Sequence, residues 1–189
     1  ISPSTLILLC ALLAAGCSLG GAGQKPGWEI EGWDLVWHDE FEGPAGQLPD
    51  PAKWQFDIGT DWGNAQLEFD TDRPENVSLD GQLNLAITAR EEAFEGQPYT
   101  SGRIKTKDLF EQTYGRFEAR IKVPVGQGMW PAFWMLGESI YDIGWPTCGE
   151  IDIMEFYNGN ILANAAWAGK DRWQAIWDDL KKPVSSFKD

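Results

Sequence analysis

The sequence predicts an all-β sandwich or barrel, and three observations carry that expectation. Helical periodicity is nearly absent before residue 170. Short runs rich in β-branched and aromatic residues recur between Gly, Pro, Asn and Asp. Two of these runs alternate cleanly, which is what a strand with one buried face requires. In 82–88 the alternation puts Leu83, Leu85 and Ile87 on the buried side; in 116–123 it puts Phe117, Ala119, Ile121 and Val123 there.

Along the chain, residues 6–15 come first, an uncharged apolar stretch followed by Gly16-Cys17. About ten residues are too short to span a bilayer but suit the apolar region of a signal peptide. The ending Leu13-Ala14-Ala15-Gly16-Cys17 resembles a bacterial lipoprotein signal, although Ala14 stands where that pattern prefers Leu. Residues 1–16 are therefore expected to be a signal peptide, with cleavage before Cys17 and Cys17 as the lipidation site. Ordinary secretion is the alternative. Residues 17–32 then read as the lipidated Cys and a Gly-rich tether. Cys148 is left without a partner, so no internal disulfide is available.

Residues 33–189 read as one domain. Candidate strands are 34–41, 54–57, 77–79, 82–90, 100–105, 114–122, 129–136, 150–156 and 162–167. Each is a β-branched or aromatic run bounded by turn residues. Residues 130–136 are apolar on both faces, so that strand is either covered on both sides or lines a cleft. Pro131 has no N–H to give a ladder, which places it at a strand start or at a lost bond. Plain core is an equal rival for this segment, and the better reading of Phe133 and Met135.

Composition narrows the partners. The chain has 189 residues, of which 43% are hydrophobic and 23% charged, enough for one domain with a real core. Its net charge of −14 argues against nucleic acid, an anionic membrane or a strongly anionic substrate. Eleven Trp suit a large aromatic core or a cleft for flat apolar faces such as sugar rings. A neutral ligand remains.

The segment Gly149-Glu150-Ile151-Asp152-Ile153-Met154-Glu155-Phe156 holds three carboxylates in six residues. On a half-buried strand Glu150 and Asp152 share one face, with Ile151 and Ile153 packed behind. Strict alternation would send Glu155 into the core, where an unpaired charge costs several kcal/mol. One extra residue, a β-bulge, returns Glu155 to the face of the other two. The bland alternative is a solvated acidic edge strand.

Paired carboxylates are what glycosidic cleavage needs: one attacks or activates water, the other protonates the leaving oxygen. Retention through a covalent intermediate requires them about 5–5.5 Å apart. Five residues of strand span about 16 Å, and a bulge reduces this to about 13 Å between Cα atoms. Twist and inward-leaning Glu side chains could close much of the rest. Asp152, between the two, raises its neighbours' proton affinity or orients Glu150. Spacing alone does not say which Glu plays which part. Three carboxylates could also hold Ca²⁺, but the usual Asp/Asn/Gly loop is missing. Zinc would want His or Cys, and the only His is His38.

The segment Glu150–Glu155 resembles the active-site strand of the family 16 glycoside hydrolases, in the bulged form of laminarinases, agarases and carrageenases. Further blocks share the likeness: Trp62-Gly63-Asn64, Arg73-Pro74-Glu75-Asn76-Val77, Tyr99-Thr100-Ser101-Gly102-Arg103, Tyr114-Gly115-Arg116-Phe117-Glu118-Ala119-Arg120 and Trp130-Pro131-Ala132-Phe133-Trp134. Together with 35–42 they run over residues 33–160 in the family's order.

The resemblance implies a β-jelly-roll sandwich whose concave face is a sugar-binding cleft. It implies Glu150 as nucleophile, Glu155 as acid/base and Asp152 as assistant, with Asn64, Arg103, Trp130, Trp134 and Trp145 in or near the cleft. Trp faces stack on sugar C–H surfaces, while Arg and Asn donate to hydroxyls; Arg103 pairing with an acid and Trp134 as core are the plainer readings. No cofactor is required, a structural Ca²⁺ in the full-length domain is an option, and the metal ligands are unknown. The expected partner is a neutral β-glucan, with no nucleic acid and with membrane contact only through a lipid anchor. A monomer is expected, extracytoplasmic, on the outer membrane or cell surface if lipidated and otherwise secreted.

Three departures bear on substrate. Laminarinases commonly place a His one strand after the acidic segment, where Trp167 stands here. Glu68 and its neighbours Gln66-Leu67 differ from the usual block, and 172–187 has no clear laminarinase counterpart. The chain is expected to be C-terminally truncated, lacking strands that would complete both sheets. The leading expectation is an endo-β-1,3-glucanase acting with retention. The alternatives are a galactan hydrolase of agarase or porphyranase type and a catalytically silent glucan-binding lipoprotein.

Overall fold

The computed structural model describes residues 30–187, so the expected signal peptide, Cys17 and most of the tether lie outside the described residues. The chain divides into two units, 1–38 and 39–189. In the first, among the described residues 30–38, a turn is closed by the Trp33 N–H donating to the Ile30 carbonyl at 3.1 Å, and 34–38 have no regular structure.

The second unit is built from strands. In order they are β1 Gln55–Asp57, β2 Glu68–Asp70, β3 Val77–Leu79, β4 Leu85–Ile87, β5 Arg90–Phe94, β6 Gln97–Ser101, β7 Arg103–Lys105 and β8 Ala132–Leu136. After the single helical turn α1, Ile140–Ile143, come β9 Glu150–Tyr157, β10 Asn160–Ala168 and β11 Ala175–Pro183. The largest sheet is antiparallel throughout, in the order β11-β10-β9-β8. Beside it stand a β2-β6-β5 sheet, in which β2 and β6 run parallel, and the antiparallel pairs β1-β7 and β3-β4. Among the described residues no helix is long and apolar enough to cross a membrane.

Several expectations need correction. Segments 34–41 and 114–122 form no strand among the described residues, and 82–90 pairs only over Leu85–Ile87 before a separate strand begins at Arg90. A run can alternate and still remain irregular when no neighbouring backbone meets it. Leu83 and Ile87 are exposed and Leu85 is only half-buried, so the predicted buried face is open. Ala119 and Ile121 are likewise exposed, while Phe117 and Val123 are half-buried. Pro131 does sit just before a strand, its carbonyl accepting from the Phe156 N–H at 3.0 Å.

The best-enclosed part of this unit is polar as well as apolar. Asn76 and Thr100 are fully buried beside Val77. Asn76 donates to the Thr88 carbonyl at 3.0 Å and to Thr100 Oγ1 at 2.9 Å, and its Oδ1 accepts from Thr71 at 2.6 Å and Arg73 at 2.9 Å. Thr100 then donates to Glu92 at 2.5 Å, and Glu92 pairs with Arg73. Every group is satisfied, which is the condition under which a buried polar network holds rather than weakens a fold. The Arg73–Val77 block is thus a clasp across β3, β5 and β6. Gly102 belongs to the same joint, since a Cβ there would stand 2.0 Å from Val77 Cγ2.

Candidate active site

The carboxylate strand β9 is bulged where its composition demands it. Against β8, Phe133 pairs with Met154 and Trp134 with Asp152, leaving Ile153 over. Against β10, Leu162 pairs with Glu155 and Asn164 with Asp152, so that Ile153 and Met154 stand against the single Ala163. Both neighbours therefore register one extra residue at Ile153–Met154, and Glu155 rejoins the face of Glu150 and Asp152. Phe156, on the other side, is buried at 3% exposure. Behind Asp152 the packing is looser than expected, with Ile151 52% exposed.

Each Glu is held by an indole. Trp130 Nε1 donates to Glu155 Oε1 at 2.9 Å, and Trp145 Nε1 donates to Glu150 Oε2 at 2.8 Å. Trp130 lies two residues before β8, across Pro131, while Trp145 comes from the loop after α1 and precedes the buried Pro146. Asp152 is 3% exposed. The amide of Asn164, opposite it on β10, donates to Asp152 Oδ2 at 3.1 Å and to Glu155 Oε2 at 2.5 Å. The loop end is fixed from below: Gly137 N–H donates to the Gly149 carbonyl at 3.1 Å, and a Cβ on Gly137 would meet the Cys148 carbonyl oxygen at 2.0 Å.

These surroundings set the protonation. Burial pushes the Glu150 carboxyl up to about 7; the charge of Asp152 and a hydrogen bond shared with it add to this, while the Trp145 N–H works against it. Burial also raises Glu155, against the Trp130 N–H and with the help of the Asp152 charge. Burial thus favours the protonated form of both Glu, for Glu150 up to about pH 7.

The other sequence-predicted residues divide. Trp134, on β8 opposite Asp152, lies beneath the Arg103 guanidinium at 4.9 Å, and Trp62 stacks on that guanidinium at 5.2 Å. Arg103 is ion-paired with Asp57 at 3.1 Å, so the plainer reading of Arg103 coexists with a place between two indoles. Trp62 in turn donates to Asp70 at 2.8 Å. Asn64 is exposed in the bend beside Trp62, and no hydrogen bond joins it to the carboxylate strand. Trp167 does not take the expected place: Ala166 faces the Glu150 side, so the neighbouring Trp167 points to the opposite face of the sheet. Among the described residues no group of three His, Cys, Asp or Glu is placed to hold a metal ion.

Asn164 was not foreseen, although an amide inside an otherwise apolar strand is a signal that was available. Trp177 on β11 was missed too; it lies opposite Ala166 and 5.9 Å from Trp145, ring to ring.

An all-β unit carrying indole-capped carboxylates on one bulged strand has the build of a carbohydrate-active domain. Residues 59–171 match glycosyl hydrolases family 16, more than half of the chain, and the chain belongs to that family. It is similar to a β-glucanase of Rhodothermus marinus, 44% identical over 163 residues, which cover 82% of this chain and 54% of that protein. Among solved structures, the laminarinase of Rhodothermus marinus aligns with a TM-score of 0.71 at 38% identity, over 82% of this chain and 64% of that one. The laminarinase catalytic domain of Thermotoga maritima aligns at 0.68 and 40%, over 80% and 64%. The chain thus spans about half the length of the curated relative, and its fold is the jelly-roll sandwich of these laminarinases.

Proposed function

We propose that the whole protein is an endo-acting β-1,3-glucanase that cleaves with retention. The observation that carries this is the bulge, which sets Glu150, Asp152 and Glu155 on one face, each Glu under an indole N–H. The laminarinase likeness supports the choice of glucan. Glu150 attacks the anomeric carbon as its glycosidic bond breaks, and Glu155 gives its proton to the departing oxygen. Glu155, now ionised, takes a proton from water, which displaces Glu150 and releases the sugar with its original configuration. Asp152 keeps the departing and returning charge on Glu150 within a hydrogen-bonded pair. No cofactor enters these steps.

The galactan reading drew its support from Trp167, and that residue lies on the far face. The protein is further proposed to act outside the cytoplasm as a monomer, anchored through Cys17 or secreted. The test is the full-length enzyme and Glu150→Gln on laminarin, lichenan, agarose and porphyran. Cleavage of laminarin, abolished in the variant, is expected. Binding without cleavage would favour the silent glucan-binding protein, and cleavage untouched by the substitution would sink the mechanism.

A further inference from the structure

The face that carries the carboxylates does not end at β10. Glu150 pairs with Ala166, and Ala166 pairs with Trp177 of β11, so the three stand in one cross-strand row. Ala166 is the small, buried member of that row, at 2% exposure. Between Glu150 and Trp177 the sheet surface is therefore low, flanked on either side by a taller side chain.

Trp145 leans over this gap from the α1 loop. Its N–H is given to Glu150 while its ring meets that of Trp177 at 5.9 Å, tilted by 48°. Both rings remain open, Trp145 at 39% and Trp177 at 50% exposure. Large indole faces left in water beside a carboxylate are ready to be covered by a ligand with flat C–H surfaces.

The two aromatics are also held together from behind. Arg172, in the β10–β11 turn, donates to the Ile143 carbonyl at 2.6 Å, and Thr147 Oγ1 donates to the Arg172 carbonyl at 2.7 Å. Trp173 lies under the Arg172 guanidinium at 4.4 Å and against Gly144, where a Cβ would come within 3.0 Å of its ring. The hairpin turn and the Trp145 loop are thus latched as one wall, and the spacing of the two rings is fixed before any sugar arrives.

We propose that Trp177, with Trp145, forms an outer sugar-binding subsite on the β11 side of the carboxylates and makes efficiency depend on oligosaccharide length. The subsite rests on the polysaccharide-cleft reading but goes beyond it, because the central carboxylates need nothing from β11. A sugar stacked on an indole pair contributes affinity on the order of an aromatic contact, about tenfold.

The test compares the full-length enzyme with Trp177→Ala and Trp177→Phe on β-1,3-gluco-oligosaccharides of increasing length and on laminarin. The loss of kcat/KM in Trp177→Ala is expected to grow with chain length, reaching about tenfold on the longest substrates, with Trp177→Phe recovering most of it. An equal loss at every length would overturn the subsite and make Trp177 a support for Trp145. No loss at any length would overturn it as well. Binding of the same oligosaccharides to Glu150→Gln, with and without Trp177→Ala, is read in parallel by calorimetry. If the parent enzyme cleaves no β-1,3-glucan, the hydrolase reading fails alone: affinity lost only for long chains still supports the subsite, and unchanged affinity refutes it.

Discussion

The side-chain amide of Asn164 donates to the Glu155 carboxylate at 2.5 Å from the strand beside it. The same nitrogen serves Asp152 at 3.1 Å, so one neutral group separates two acids that would otherwise repel. That donation favours the ionised form of Glu155 and opposes the burial that raises it. Asn164→Ala is therefore expected to hold the Glu155 proton to higher pH and to move the alkaline limb of kcat/KM upward. Loss of a buried hydrogen bond to a charged group also lowers kcat, by about tenfold or more. A limb that stays in place would show that Glu155 is not the group titrating there.

Glu150 and Asp152 predict the other limb. Glu150 must ionise to attack, and its carboxyl loses its proton near pH 7 in the free site. Removing the Asp152 charge removes one cause of that rise, so Asp152→Asn is expected to shift the acid limb of kcat/KM to lower pH. Trp145→Phe removes the opposing N–H and is expected to shift it to higher pH. Opposite displacements in the two pH profiles are the outcome to look for; parallel ones would contradict the account.

Roles within the pair are open to chemical rescue. Glu155→Ala is expected to lose roughly 10²–10⁴-fold, the usual share of a general acid and base. Azide should restore turnover on a substrate with a good leaving group and give a product of retained configuration. Glu150→Ala with azide should instead give the inverted product, because the anion then attacks the substrate directly. Exchange of those two outcomes would exchange the two roles.

Asp70 makes a prediction about stability. Burial raises its carboxyl from the ordinary 3.8 to about 6, against the Trp62 N–H that it accepts. A carboxyl with a raised folded-state pKa favours the folded state most below 3.8, and that advantage is lost as the pH rises through about 6. Asp70→Asn should remove this dependence, so its denaturation midpoint gains on the parent above pH 6. Urea unfolding across that range checks it; a variant that tracks the parent at every pH would refute it.

The reverse of the main sheet predicts behaviour in isolation. Ile151, Trp167, Ile176 and Leu180 stand exposed on the side away from the carboxylates. A chain of residues 18–189 on its own is expected to bind hydrophobic dyes and to aggregate. Soluble, two-state unfolding of that chain with laminarin cleavage would overturn the expectation.

What the sequence showed follows from where its information is local. The bulge was legible because a charged Glu155 facing the core would be too costly, a constraint contained within β9 itself. Strands β8 and β10 were legible because apolar runs flank it. Strand β11 was not, since Asp178, Asp179, Lys181 and Lys182 make it look like solvated loop, as edge strands often do. Strand β2 was missed because its parallel pairing with β6 depends on chain more than 25 residues away. Trp177 gains its meaning only from register, which no single segment records, and register is also what sets the Asn164 amide, visible in an apolar run, against Asp152. The alternating run within 114–122 shows the converse, a strand pattern that forms no strand, and the aromatic run 34–41 forms none either.

The bulge at Ile153–Met154 also makes β9 unequal in its tolerance of change in length. Along an ordinary strand, losing one residue turns everything beyond it over to the other face. Here the loss of Met154 would leave Glu150-Ile151-Asp152-Ile153-Glu155, a plain alternation with all three acids still on one side. Deleting Ile151 would instead make Glu150 and Asp152 direct neighbours and set them on opposite faces. The strand can be shortened at one place only, and that place lies between the two residues whose separation the chemistry depends on.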